Sequence, residues 1–281
     1  MVDRAPAKLN LCLYLGPVRD DGLHELRSLF CPLALSDRVS VTTSESDADE
    51  VVCDGVAGPN LAEAALAALR ERGWKSPPLR IEIDKRIPVA AGLGGGSADA
   101  AAVLRLAEGD VEGLDELAAE LGADVPSQVS PGFALVAGAG ERMERLDAPA
   151  AVGVVLLSFD RGLSAAEVYG EADRMGLGRP LAELEEIGRE LRKVAGGGAS
   201  PLAYPGLLAN DLEAAAVSLR PEIGGALDAL RKVGAGAVFV TGSGPTAVGL
   251  FADIVAADRA SGELGPEWAD AIVTATVGRY P

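Results

Sequence analysis

Between Arg80 and Arg86 charged and apolar residues alternate, the two-residue period of a strand with one face buried. A looser alternation over residues 7–15 predicts an opening strand, followed by a charged turn from Gly16 to Gly22. Val39–Thr43 and Val51–Cys53 are short β-type runs either side of an acidic turn, and the apolar run Val152–Leu157 opens a second half. Elsewhere the period lengthens. Leu61, Leu66 and Leu69 share one helical face that runs to Gly73, with Asn60 and Glu63 spaced as a capping pair at its start. An Ala-rich helix is expected over Ser97–Leu106, another over Leu114–Leu121 ending at Gly122, and more at 164–175, 181–194, 207–218 and 221–232. Ala195–Pro201, with three glycines, is the expected mobile loop. No repeat of fixed period is present, and the mixture of hairpin-like and helical segments predicts an α+β fold in two lobes meeting near residue 150.

Composition narrows the partners. Apolar residues make up 48% of the 281 positions, which rules out a disordered chain, while aromatics at 4% mean that helices must pack through small residues and Leu. The net charge of −17 is spread over short acidic patches, so nucleic acid and anionic membrane surfaces are not expected partners. An anionic ligand would have to be held locally, by backbone N–H groups and a few placed cations. Val233–Ala252 is uncharged and long enough to span a bilayer, but Gly242, Ser243, Gly244 and Pro245 break it, so it reads as strand, glycine turn and strand. The start, Met-Val-Asp-Arg, has no secretory pattern, and a cytoplasmic protein with reduced thiols at Cys12, Cys31 and Cys53 is expected. With a single histidine and no C-x-x-C pair, no Cys/His metal site can be assembled.

The segment with chemistry in it is Pro88-Val89-Ala90-Ala91-Gly92-Leu93-Gly94-Gly95-Gly96-Ser97, between a predicted strand and a predicted helix. Glycines there let backbone N–H groups approach an anion, and the helix N-terminus adds about half a positive charge. Ser97 could cap the helix, donate to phosphate, or ligate Mg²⁺. The bland alternative is a flexible connector. A P-loop is excluded because the Gly-Lys-Ser ending is missing, and a dinucleotide fold fails on the loop's late position and lack of an acidic ribose ligand.

Pro-x-x-x-Gly-Leu-Gly-x-x-Ser resembles the phosphate loop of the GHMP kinases. Two further motifs of that family stand in order around it, Pro6-Ala7-Lys8-Leu9-Asn10-Leu11 and Thr241-Gly242-Ser243-Gly244-Pro245-Thr246. The resemblance implies a two-lobed α+β kinase, with a ribosomal protein S5 domain 2-like N-terminal domain over 1–149 and an α/β-plait-like C-terminal domain over 150–281. ATP with Mg²⁺ would be the cofactors. Asp21-Gly22-Leu23-His24-Glu25-Leu26, Asp84-Lys85-Arg86-Ile87-Pro88 and Leu121-Gly122-Ala123-Asp124-Val125-Pro126 are similar to the branch of the family that phosphorylates CDP-methylerythritol in the non-mevalonate isoprenoid pathway.

The roles implied by that resemblance are specific. Asp124 would accept the proton of the attacking hydroxyl, and Lys8 would offset the carboxylate and the developing charge. Residues 88–97 with Ala98 would cradle the phosphates, and Asn60 and Leu61 would line the adenine pocket. Asn10, His24, Phe30 and Tyr169 would hold the substrate, with His24 on the cytosine edge and Tyr169 stacked on the base. Without the motifs, Asp124 would be read as a cap or turn residue after Gly122, Lys8 as a strand-edge cation, His24 as a surface residue and Tyr169 as core. The chain departs from the pattern at Leu23 (usually Tyr), Ala98 (usually Ser), Ser127-Gln128 (often apolar) and Ala165 (often Thr). A sibling kinase and a non-catalytic nucleotide-binding protein are the alternatives. A monomer or weak dimer is expected.

Overall fold

The structure is a computed structural model that describes residues 1–56 and 60–278. Among these residues the elements run β1 (Val2–Val18), β2 (His24–Thr43), β3 (Glu50–Val52), α1 (Leu61–Glu71), β4 (Leu79–Asp84), α2 (Gly95–Arg105), α3 (Leu114–Leu121) and α4 (Val125–Val129). They continue as β5 (Ala134–Gly138), β6 (Arg142–Arg145), β7 (Gly153–Leu157), α5 (Ala165–Met175), α6 (Leu181–Ala195), α7 (Glu213–Leu219) and α8 (Glu222–Lys232). The last are β8 (Ala237–Val240), β9 (Ala247–Phe251), α9 (Ile254–Ser261) and β10 (Ile272–Ala275). The expected α+β class is what the chain adopts. Among the described residues no helix is long and apolar enough to cross a membrane.

The chain divides into two compact units built from interleaved segments. The first comprises Met1–Ala7, Leu35–Val89 and Gly94–Pro131. In it the C-terminal half of β2 pairs antiparallel with β4 (Val39↔Ile83, Val41↔Ile81), and β3 pairs parallel with β4. Ala62, Ala65, Leu66 and Leu69 form the buried stripe of α1, and Asn60 caps that helix by accepting from Ala62 N–H at 2.9 Å. Helix α2 is different. Ala98, Ala100, Ala101, Ala102, Val103 and Leu104 are all fully buried, so the helix is apolar nearly all round, and its alanines let α1 and α4 come close.

The second unit comprises Lys8–Ala34, Ala90–Leu93 and Gly132–Pro281. The N-terminal half of β2 pairs antiparallel with β5 (Ser28↔Val136, Phe30↔Ala134), and β5 pairs with β6. A separate antiparallel sheet runs β10-β7-β9-β8, with Val155 and Leu157 of β7 in a core shared by α5, α7, α8 and α9.

Three expectations need correction. The opening strand is longer than 7–15, running from Val2 to Val18, and Ala5 through Leu15 are buried on both faces rather than on one as the loose alternation implied. For the same reason the half of β2 that begins at His24 left no periodic signal. The helix expected from 207 begins only at Glu213, because Asn210 directs its side chain to the backbone instead: its Nδ2 donates to Val240 O and Gly242 O, and its Oδ1 accepts from Leu212 N–H. The third concerns Ser97, below.

Candidate active site

The phosphate-loop segment enters the first unit at Gly94, whose φ of 70° is a left-handed conformation that suits glycine. Helix α2 starts at Gly95, two residues earlier than expected, so Ser97 stands in its first turn and the N-cap is Gly94, with no side-chain cap. Ala98 N–H already donates to Gly94 O at 2.9 Å. The N–H groups of Gly95, Gly96 and Ser97 are therefore the donors that the helix start leaves for a ligand. A Cβ on Gly96 would meet only Leu61 Cδ1, at 3.7 Å, whereas one on Gly95 would press into Ile87 and come within 3.2 Å of Lys85 Nζ. Gly96 thus faces open space, and Gly95 faces the protein.

Beneath that first turn lies a charged cluster. Lys85 Nζ donates to Asp37 Oδ2 and, at 2.8 Å, to Asp99 Oδ2. Asp37 Oδ1 in turn accepts from Arg86 N–H and Ile87 N–H at 2.6 and 2.8 Å, fixing the residues that lead into the loop. Burial pushes the Asp99 carboxyl up to about 7 against the pull of Lys85, and its Oδ1 is buried with no hydrogen-bond partner among the described residues. Sequence reasoning noticed Lys85 only as part of a motif and missed Asp37 and Asp99. The Asp99 signal was available: a charged residue inside an alanine run on an otherwise apolar helix needs a partner.

Asp124 is half-buried and precedes α4 as its N-cap residue, but its side chain makes no capping bond; Ser127 Oγ donates to its carbonyl at 2.7 Å. Asp124 thus stands at the turn that leads into α4, as the bland reading of a cap or turn residue has it, but without capping the helix through its side chain. Asn60 does cap α1, and Leu61 packs against the first unit's core.

In the second unit the opening and closing motifs meet. Lys8 is 6% exposed, its N–H donates to Leu93 O at 2.9 Å, and its Nζ donates to Asn10 Oδ1 at 2.6 Å while lying 4.5 Å from the centre of the Phe30 ring. Asn10 N–H donates to Thr241 Oγ1, and Asn10 Nδ2 donates to Ser28 Oγ, whose hydroxyl in turn donates to Cys12 O. A buried ammonium set by hydrogen bonds and an aromatic face is the opposite of a solvated strand-edge lysine. The glycine loop joins this assembly at Gly92, where a Cβ would stand 2.6 Å from Thr241 O and 2.9 Å from Gly244 O. Only glycine allows that approach, and the φ of +77° there excludes most side chains as well.

His24 and Tyr169 also come together. Their rings are 5.2 Å apart, and His24 Nε2–H donates to Asp173 Oδ1 at 2.8 Å. His24 is 8% exposed, not a surface residue. Asp173 was not foreseen, although Tyr169 and Asp173 are four residues apart on α5 and so share a helix face. Of the departures, Ala98 is buried in the core of the first unit, and Leu23 is 53% exposed. Cys12 and Cys31 are buried free thiols, each pushed up to about 12 by burial, as inert structural cysteines should be.

Two family models match the chain, "GHMP kinases N terminal domain" over residues 60–137 and "GHMP kinases C terminal" over 202–270. A 4-diphosphocytidyl-2-C-methyl-D-erythritol kinase of Anaeromyxobacter dehalogenans is 39% identical, over 100% of this chain and 92% of the relative. The enzyme of that name from Rhodococcus jostii is 41% identical over 94% of this chain and 88% of its own length. A crystal structure of a 4-(cytidine 5'-diphospho)-2C-methyl-D-erythritol kinase superposes with a TM-score of 0.80 at 34% identity, covering 99% and 100% of the two chains. A homoserine kinase from Cytophaga hutchinsonii shares the fold alone, with a TM-score of 0.70 at 17% identity. The ordered motifs, the buried lysine and the full-length identity converge: this chain belongs to the GHMP kinases and, within them, to the 4-diphosphocytidyl-2-C-methyl-D-erythritol kinase family.

Proposed function

We propose that the chain transfers the terminal phosphoryl group of ATP to the 2-hydroxyl of 4-diphosphocytidyl-2-C-methyl-D-erythritol, in the non-mevalonate route to isoprenoid precursors. The products are the 2-phosphate, ADP and a proton. GHMP kinases use ATP as phosphate donor. The observation that carries the reading is the convergence of Lys8, Asn10, Gly92 and Thr241, which unites three motifs far apart in sequence.

Phosphoryl transfer asks for positioning, charge neutralisation and an oriented nucleophile. Asp124 accepts the hydroxyl proton as the P–O bond forms, and Lys8 offsets the negative charge that develops. The N–H groups of Gly95, Gly96 and Ser97 hold phosphate oxygens, an arrangement supported by the open space at Gly96 and by the helix start behind it. Mg²⁺ would be held by the Ser97 hydroxyl and the nucleotide's own phosphates, where it neutralises charge. Asn60 and Leu61 line the adenine, and Asn10 and Phe30 line the substrate beside Lys8.

Tyr169 stacks on the cytosine. With Nε2–H committed to Asp173, a neutral His24 presents Nδ1 as an acceptor. That is the partner for the amino group of cytosine and the wrong one for the carbonyl of uracil. The two family models fall on either side of residue 150, which supports 1–149 and 150–281 as the proposed domains. A monomer or weak dimer in the cytoplasm completes the proposal.

The experiment is ATP consumption by the purified protein with CDP-methylerythritol, mevalonate and homoserine in parallel. Turnover with the first alone is expected. Preferential use of either of the others would assign the chain to a sibling activity.

A further inference from the structure

The second unit contains a groove of about 400 Å³ lined by Arg27, Arg142, Arg189 and Arg192, in a chain whose net charge is −17. Its floor is Leu135 and Ala137 of β5, with Gly188 of α6. The register Arg27↔Ala137, with the two-residue alternation of a strand, puts these side chains on the opposite face of the pairing from Ser28 and Phe30. The groove is therefore separate from the surroundings of Lys8.

Its charges are only partly matched. Arg192 forks onto Glu144, with Nε 2.8 Å from both carboxylate oxygens. Arg142 and Arg27 share one carboxylate, Glu25, which Arg27 Nη1 reaches at 2.5 Å. Burial works against ionisation of Glu25, but the Arg27 hydrogen bond and the charges of both arginines outweigh it and hold the carboxyl below its usual range. Arg189 makes no ion pair among the described residues, although Glu185 also lines the groove. Arg27 is the informative member. It is 11% exposed, and its hydrogen bonds, to Glu25 and Leu26 O, use Nη1 only. Nε and Nη2 find no acceptor among the described residues, and a Cβ on Gly188 would sit 3.1 Å from that Nε. The absence of a side chain at 188 thus gives the guanidinium room against α6.

A nearly buried guanidinium with unused donors, beside three more, suits an anion that can take two forks at once. A carboxylate offers two oxygens, already shared between two arginines at Glu25, whereas two linked phosphates offer enough acceptors for Arg27, Arg142 and Arg189 together. We propose that this groove is a binding site for a small diphosphate-bearing molecule, distinct from the candidate active site.

The test uses phenylglyoxal, which modifies arginine, with mass-spectrometric mapping in the presence and absence of inorganic pyrophosphate. Pyrophosphate should protect Arg142 and Arg189 at least fivefold and leave exposed Arg86, outside the groove, unprotected. Calorimetric titration with pyrophosphate should contain a component that the Arg142→Gln/Arg189→Gln variant weakens at least tenfold, while the KM for ATP stays unchanged. Both side chains are solvent-facing, and circular dichroism checks that the variant is folded. Absent protection, an unchanged titration in the folded variant, or equal protection by succinate would overturn the assignment. None of these outcomes bears on turnover of CDP-methylerythritol, so failure here leaves the kinase reading standing.

Discussion

Replacing Gly92 with Ala tests the junction between the glycine loop and the closing motif. At a φ of +77° an alanine pays a left-handed penalty of about 1–2 kcal/mol. Its Cβ would also stand 2.6 Å from Thr241 O and 2.9 Å from Gly244 O. Both are backbone atoms, so relief requires moving the chain, and overpacking of that kind costs about 1–3 kcal/mol. The sum is roughly 2–5 kcal/mol, equivalent at about 2 °C per kcal/mol to a fall in Tm of roughly 4–10 °C. If the loop shifts instead and the fold keeps its stability, a strain of about 2 kcal/mol appears as a roughly 30-fold rise in the KM for ATP. Calorimetry and ATP kinetics on Gly92→Ala read both routes. Gly96→Ala is the control: its Cβ meets one side-chain atom at 3.7 Å, and Ala favours a helix over Gly by about 1 kcal/mol, so the variant should be at least as stable as the parent. Its KM for ATP should rise nonetheless, because a methyl group now stands where phosphate approaches. Gly92→Ala with both Tm and KM at parental values would refute the reasoning.

Four further outcomes follow from the same geometry. Asp124→Asn should retain ATP binding while kcat falls about 10²–10⁴-fold, and equal turnover would remove Asp124 from its role. Tyr169→Ala should raise the KM for the cytidine substrate by about 5–150-fold, the equivalent of ~1–3 kcal/mol of base stacking, with little change for ATP. Asp173→Ala, like His24→Ala, should erode the preference of kcat/KM for the cytidine over the uridine substrate, because the imidazole loses what fixes its tautomer; an unchanged ratio in both would exclude His24 from reading the base. Asp99, whose carboxyl rises from 3.8 to about 7 on folding, keeps its proton in the folded state where the unfolded chain has released it. That contribution therefore falls as pH rises from about 4 to about 7 and is level above, so the Tm of Asp99→Asn should gain on the parent across that window. A pH-independent difference between the two melting curves would contradict the assignment.

The sequence made local matters legible and left burial opaque. Helices such as α5, α6 and α8 have one apolar stripe facing a core, and the 3.6-residue period revealed them within a residue or so. The strands β1 and β2 have polar residues buried among apolar ones: Lys8 and Asn10 bond each other, and Glu25 bonds Arg27. Pairing of that kind lets charge enter a core, so a polar position in the pattern no longer marks an exposed face. For the same reason motifs singled out the glycine loop, Lys8, Asp124 and His24 as candidates, while Asp37, Asp99, Asp173 and Ser28, which bond within or beside them, were missed. A motif fixes a residue by its neighbours in sequence; a supporting residue is fixed by neighbours in space, such as Asp37, 48 positions from the lysine it holds.

The interleaving of the two units has a consequence for how the gene can be divided. The first unit closes at Pro131, yet a break there would leave Lys8–Ala34 and Ala90–Leu93, which belong to the second, on the wrong fragment. The C-terminal piece would lose the strand that pairs with Ala134–Gly138 and present an open sheet edge to other chains. Neither half is therefore a portable module. Cutting the chain at this joint would leave two fragments, each lacking segments that its own unit needs.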